Sequence, residues 1–407
     1  MDATLPGTKV AGWRGLPPAV LAGLAAASTI AAVVAARHAT LADSSPVDPA
    51  GRWRSVWILA AIVGYGAYVL AVWVARSSGI RLRLALAVAV VVQVAPLAGP
   101  LLLSRDAYLY WAEARLAFVH HGNPYRDTPS AHPDDPGTQA ASVQWRTQTE
   151  PYGPAWVVLG AAPSAAAGSS RTAAEVGYRI LAAAGIGVLL VLLAFVARSP
   201  RGLVVLGWNP LVALHYAGGG HSDAWMMVAL VGALLTSRPA PAGALWPVSA
   251  AFKGVGAILL PLDLARHRFR RPRAFWAGLV GAGVAIAVVS TAVFGAGWAT
   301  GAAEGAHGTS PLGGVHFLTE AGLRHRYAVA LCGVVFLLLY AVLFREAWRR
   351  GTSRLAFAAA ALCMLTSLLR PWYVLWPAAL AAAEGEALGV AATVALTGYA
   401  LFGDAVP

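Results

Sequence analysis

Charge is what this chain has least of. Only 12% of its 407 residues are Asp, Glu, Lys or Arg, against 58% hydrophobic, and the mean hydropathy is +0.64. A water-soluble domain of this length does not tolerate so little charge, so the soluble classes are excluded. Cysteine is scarce too: Cys332 and Cys363 are the two, both inside apolar runs and far from CxxC spacing. That excludes a disulfide framework and a zinc cluster, and both read as core residues. Period-two alternation is missing, which excludes a β-barrel. No internal repeat at a fixed period and no low-complexity tail interrupt the sequence.

What remains is an all-α, polytopic membrane bundle forming one integral-membrane domain over 1–407. Crossing about 30 Å of hydrocarbon takes about 20 apolar residues in a helix. The clearest runs are Pro17–Ala36, Arg54–Val74, Leu82–Leu103, Ala173–Val196, Leu203–Ala217, Ala224–Leu235, Phe275–Phe294, Tyr327–Phe344, Leu355–Leu369 and Leu388–Leu401. Shorter stretches at Pro154–Ala167, Ala242–Leu264 and Trp372–Ala383 are further spans or broken helices, for roughly ten to thirteen membrane-embedded segments. The first run follows Lys9 and Arg14 but is longer than a secretory h-region, so it reads as a retained helix.

The formal net charge of +12 does not indicate nucleic acid. The arginines collect in short loops, in "RLR" at 81–83, "RHRFRRPR" at 266–273 and "REAWRR" at 345–350, which is the asymmetry of cytoplasmic loops. That rule places the N-terminus in the cytoplasm and a first large loop, 104–151, outside, together with the "GGGHSD" turn at 218–223 and a second outer loop, 295–324. Between Arg238 and Arg266 there is too little chain for two full spans, and one span would put five arginines outside. A broken or re-entrant helix pair turning near Lys253 removes the conflict, with Lys253 lining a cavity.

Several side chains in these segments carry chemistry. Asp106 follows a long apolar run in "SRDAYLYWAEARLAFVHHGNPYRDTP". As an interfacial helix, 106–120 would align Asp106, Tyr110 and Glu113 on one face toward a reaction space, with Trp111 and Phe118 dipping into lipid. Asp106 serves there either as a reactive acid or as a helix cap. Lys253, one of two lysines, sits between apolar half-segments and either snorkels to the membrane edge or meets an anion. Arg370 in "RPWYVLW" adds a second cation beside hydrocarbon, and Trp372 and Trp376 suit an aromatic belt. Asp223 either caps a helix or joins His221 in contacting substrate, while Tyr152 and Trp156 of "PYGPAW" form a rigid corner with faces suited to a sugar. Tyr110, Tyr125, Trp372 and Tyr373 complete the expected substrate contacts. "HPDDP" at 132–136 reads as a loop turn, and no divalent metal or other cofactor is indicated.

One outer carboxylate facing two buried cations suits transfer from a lipid-linked phosphosugar. Lys253 and Arg370 would hold the phosphate as the glycosidic bond breaks, and Asp106 would take the acceptor's proton. Phosphate is a weakly basic leaving group, so the second acid of an ordinary glycosidase is not required.

The segments "RDAYLYWAEARLAFVHHGNPYRDTP", "PYGPAW", "WNPLVALHYAGGGHSDAWM", "AFKGVGAILLPL" and "RPWYVLW", in that order, resemble the actinobacterial polyprenyl-phosphate-mannose-dependent alpha-mannosyltransferases of the GT-C glycosyltransferase class. The resemblance implies inverting transfer of mannose from a polyprenyl-phosphate-mannose donor to a glycolipid or glycan hydroxyl outside the cytoplasmic membrane, with Asp106 as catalytic base. Two alternatives stay open: another lipid-linked sugar, arabinofuranose or glucose, and a lipid or solute transporter.

Overall fold

A computed structural model describes residues 16–40, 48–49, 51–77, 79–299 and 309–405. Lys9, Arg14 and residues 300–308 of the 295–324 loop lie outside the described residues. The chain is an all-helical membrane bundle apart from a two-residue strand pairing, Ala39–Thr40 with Asp48–Pro49.

Its helices run in the order α1 (Pro18–Ala36), α2 (Arg52–Arg76), α3 (Leu82–Val94), α4 (Asp106–Phe118), α5 (Pro136–Ala140), α6 (Pro154–Ala167) and α7 (Arg171–Val191). Then follow α8 (Pro200–Gly207), α9 (Pro210–Tyr216), α10 (Asp223–Leu235), α11 (Pro239–Phe252), α12 (Val255–Arg266) and α13 (Arg273–Phe294). The last are α14 (Gly314–Glu320), α15 (His325–Arg350), α16 (Leu355–Leu365), α17 (Leu375–Glu384) and α18 (Ala387–Ala400). Five are long and apolar enough to cross a membrane alone: α1, α2, α7 with its π-helical continuation to Val196, α13 and α15. Large apolar side chains on α13 and α15, such as Val288, Val293, Leu337 and Leu338, are exposed, as befits helices bordering lipid.

Proline and glycine break the other apolar runs into shorter pieces. Pro96 tightens the end of α3 into a 3-10 turn, so the helical part of the Leu82–Leu103 run is shorter than expected. The Leu203–Ala217 run breaks at Trp208–Asn209, where the Asn209 side chain accepts from the backbone of Leu211 and Val212 to restart the helix. Asn209 Nδ2 also donates to Thr397 Oγ1 at 2.8 Å and reaches Tyr68 Oη at 3.4 Å, while Gln93 donates to the Gly207 and Asn209 carbonyls. Backbone freed by the break is thus satisfied inside the bundle, the condition for a broken helix at membrane depth.

The bundle has two distinct ends. At one, Arg201 donates to the Gly385 carbonyl, Arg268 to the Trp348 carbonyl, and Ser353 to Glu384. At the other lie the N-termini of α4, α6 and α10 and the turn between α11 and α12. Gly278 of α13 lies against Ala240 of α11, and further along Gly283 lies against Pro247. Residue numbers rise together, so α11 and α13 are parallel and α12 must return between them. The break expected near Lys253 is therefore a hairpin, which brings the 266–273 arginines back to the end from which α11 started. The α6 helix does not cross, because Gly153 bonds Phe252 at the hairpin turn while Gly168 at its far end accepts from Arg115 of α4.

The interfacial-helix reading of α4 needs correction. Residues Ala107–Ala114 are buried all round, Trp111 is 0% exposed, and α4 packs on α5, α6 and α7. Only Phe118, 44% exposed, could meet lipid.

Helix α11 can approach α13 because Gly278 has no side chain: a Cβ there would sit 2.1 Å from the Ala240 carbonyl oxygen. Gly278→Val is expected to destabilise the fold by about 1–3 kcal/mol. Gly281→Val, whose Cβ would meet nothing within 4 Å, should not. Thermal unfolding in detergent compares the two.

Candidate active site

The second end holds a cavity of about 310 Å3. Asp106, Lys253 and Arg370 all face it, and its aromatic wall is Trp145, Tyr152, Trp372, Tyr373 and Trp376. Leu109, Val255, Ile258 and Leu362 make it apolar toward the bundle.

Lys253 is the last residue before the hairpin turn, in extended backbone with φ −165° and ψ 139°. Its Nζ donates to Asp223 Oδ1 at 3.0 Å, and Trp376 Nε1 donates to the same oxygen at 2.8 Å. Aromatic rings enclose the ammonium, with centroids 4.1 Å away for Tyr373, 5.0 Å for Trp376 and 5.3 Å for Tyr152. Of the two readings of Lys253, the anion holds, and that anion is Asp223 of the chain itself. Asp223 makes no capping bond; it opens α10 and spends its carboxylate on Lys253 and Trp376. The pair is neutral overall, so among the described residues Arg370, partly buried with its guanidinium 5.9 Å from the Trp372 ring, brings the positive charge not held in an ion pair.

Asp106 is the first residue of α4, where its own N–H donates to Ser104 Oγ at 3.1 Å. Burial pushes its carboxyl above the usual carboxylate range, against the pull of Arg370, Ser104 and Lys253. The glycine turn after α9 runs beside it: Leu102 N–H donates to the Gly218 carbonyl, and Gly220, at φ +80°, passes under Ala107. The left-handed backbone, rather than crowding, calls for glycine there, since a Cβ would meet Ala107 at an ordinary 3.4 Å.

Six of the expected residues line the cavity: Asp106, Tyr152, Lys253, Arg370, Trp372 and Tyr373. Five expected substrate contacts do not. Tyr110 donates to Tyr152 Oη at 3.2 Å and is packed with Trp156 and Tyr178 behind the wall. Tyr125 donates to the Tyr152 carbonyl and rests on Phe294. Trp156 is 1% exposed, Asp223 1%, and His221 0%, stacked on the rear of Trp372 at 3.9 Å. These are supports of the wall. Trp145 and Leu109 also line the cavity but carry no local sequence signal, and Trp376, expected in an aromatic belt, turns its indole to Asp223.

Glu113 also points elsewhere. It hydrogen-bonds Glu150, and the two carboxyls are 2% and 1% exposed. Burial drives Glu150 up to about 7, and burial with the neighbouring Glu150 drives Glu113 well above its usual value, so the pair retains a proton. Glu150 in turn accepts from the Tyr152 N–H at 2.9 Å, fixing the corner that carries Tyr152 into the cavity. Among the described residues, no three His, Cys, Asp or Glu side chains converge as metal ligands.

A family profile described as alpha-(1->6)-mannopyranosyltransferase, N-terminal domain, matches residues 13–266, well over half of the chain. The chain belongs to this family. It is similar to the alpha-(1->6)-mannopyranosyltransferase A of Mycobacterium tuberculosis, 28% identical over 341 residues, which are 73% of this chain and 65% of the relative. It is also similar to the protein of the same name from Corynebacterium glutamicum, 29% identical over 232 residues, 50% of this chain and 46% of that one. The chain thus spans less than two thirds of the length of either relative. No solved structure gives a significant match. The family match takes in Asp106, the glycine turn and Lys253, while Arg370 and the 371–376 wall lie beyond its last residue.

A buried acid pair that keeps its proton sets a pH dependence. Both carboxyls are raised in the folded state, so the stability they contribute is full below the ordinary glutamate range and is lost as pH rises through about 7 and beyond. Thermal unfolding in detergent is expected to weaken from pH 5 to pH 8. Glu113→Gln, neutral throughout, should flatten that slope.

Proposed function

We propose that the chain is a membrane glycosyltransferase that moves mannose from a polyprenyl-phosphate-mannose donor to a hydroxyl of a glycolipid or glycan, with inversion at the anomeric carbon. The observation that carries this reading is one shared cavity onto which an acid, Asp106, and a cation, Arg370, with no ion pair among the described residues, both open. Family membership supports mannose as the sugar, and the names of the relatives support an alpha-(1->6) linkage. The wall of Tyr152, Trp372 and Tyr373 offers flat apolar faces of the kind that pack on sugar rings.

In this reading Arg370 binds the donor phosphate, with the hydrogens of Lys253 not spent on Asp223 available beside it. The acceptor oxygen attacks C1 from the side opposite the phosphate, and the C1–O bond to phosphate breaks with its electron pair passing to the phosphate oxygen. Arg370 stabilises that developing charge in a site poor in water. Asp106 takes the hydroxyl proton as the new bond forms. The leaving group needs no proton, so a single acid suffices. The arginine-rich end is assigned to the cytoplasm and the cavity to the opposite face.

Membranes containing the chain, given polyprenyl-phosphate mannose and a crude glycolipid acceptor, are expected to form labelled product. Asp106→Asn should lower kcat about 100-fold or more, and retention of full transfer by that variant would overturn the reading. Parallel assays with arabinofuranose- and glucose-bearing donors test the sugar.

Arg370→Ala removes the free cation and is expected to raise the donor KM by about 10- to 100-fold while changing the acceptor KM little. Lys253→Ala should act differently, because it strands the buried Asp223 carboxylate. Loss of thermal stability should accompany its loss of activity.

A further inference from the structure

Behind the cavity wall two histidines that the transfer step leaves unused lead up to Asp106. Asp106 Oδ2 lies 3.5 Å from His221 Nδ1, and His221 Nε2 lies 3.4 Å from His215 Nδ1. Both imidazoles are 0% exposed. His221 Nδ1 and His215 Nε2 are the two ring nitrogens with no hydrogen-bond partner of their own. His221 is clamped face to face on Trp372, with ring centroids 3.9 Å apart and planes 14° from parallel. The stack fixes the plane in which Nδ1 can approach the carboxylate.

We infer that His221 is a positioning residue for Asp106, donating Nδ1–H to Oδ2 so that Oδ1 is left to face the acceptor hydroxyl. The inference rests on the proposed role of Asp106 as base. The hydrogen arrangement follows from elimination. Between two neutral imidazoles there is one N–H and one lone pair, so the row can point only one of two ways. Directed toward Asp106, His215 Nδ1–H donates to His221 Nε2, His221 Nδ1–H donates to the carboxylate, and the atom left alone is a lone pair on His215 Nε2. Directed away, a lone pair on His221 faces an anion and a buried N–H on His215 has no acceptor. Orphaned buried donors are rarer than under-satisfied acceptors, and a lone pair repels a carboxylate, so the first arrangement is the stable one.

A 3.5 Å contact is long for a hydrogen bond, and contacts at catalytic groups tighten in the substrate complex. The groups facing His221 are Asp106 from α4, His215 and Tyr216 from α9, and the charges of Lys253 and Arg370. Burial, His215 and those two cations all disfavour an imidazolium, so His221 stays neutral and the negative charge stays on Asp106. A neutral donor aimed at the carboxylate stabilises its ionised form against the burial that opposes it.

The test uses the whole chain in membranes. His221→Phe keeps the stack on Trp372 and removes the donor. It should lower kcat by about 10- to 100-fold, leave the donor KM near its parent value, and move the acid limb of the pH profile to higher pH. His221→Asn, whose amide nitrogen falls near the Nδ1 position, should restore most of the rate and the parent limb. His215→Phe, which removes only the second donor, should shift the limb in the same direction by less. A parental acid limb in His221→Phe and His215→Phe alike, or equal behaviour of His221→Asn and His221→Phe, would overturn the inference. Asp106→Asn separates the two claims: if it retains transfer, the proposed reaction fails, whereas if it abolishes transfer while the His221 variants keep the parent profile, only the positioning role fails.

Discussion

A single ion pair between Lys253 and Asp223 fixes the geometry of the cavity. It joins the turn of the α11–α12 hairpin to the N-terminus of α10, and Trp376 adds α17 through the same carboxylate oxygen. A lone charge at that depth would cost several kcal/mol, so each partner makes the other tolerable. The consequence for chemistry is a division of labour. One cation is consumed in building the wall, and Arg370 lines the cavity with no ion pair among the described residues.

The same economy recurs around the pair. Glycines bring backbones close where side chains would block them, as at Gly153 against Ala251 of the hairpin and Gly278 against α11. Arg179 of α7 ties the Pro96, Gly99 and Ala217 carbonyls together, so the ends of α3 and α9 are held beside the start of α4. Glu113 and Glu150 close the opposite side by sharing a proton and gripping the Tyr152 backbone. The cavity is shaped mostly by polar groups that never face it.

Legibility followed range. The hairpin at Lys253 could be read because it rests on arithmetic, the number of residues between two arginine groups against the thickness of a membrane. Asp106, Lys253 and Arg370 stood out because a charge within apolar sequence is conspicuous. The face assigned to α4 was misread for a related reason: the i, i+4, i+7 spacing of Asp106, Tyr110 and Glu113 is a property of the helix, but which neighbours enclose it is not. With α5, α6 and α7 packed around it, Tyr110 and Glu113 turn into protein rather than toward the cavity.

The sequence by itself determined the solvent this protein folds in, its helical class, the places where helices break and the charged residues available for chemistry. Each of these depends on local composition or on chain length between charges. Only the tertiary structure decided how those charges are paired, because pairing is settled by which helix ends meet across 30 residues between Asp223 and Lys253 and 153 between Asp223 and Trp376. No local pattern encodes that meeting. The same holds for His221, which reads as a turn residue facing substrate until Trp372 and Asp106 arrive on either side of it.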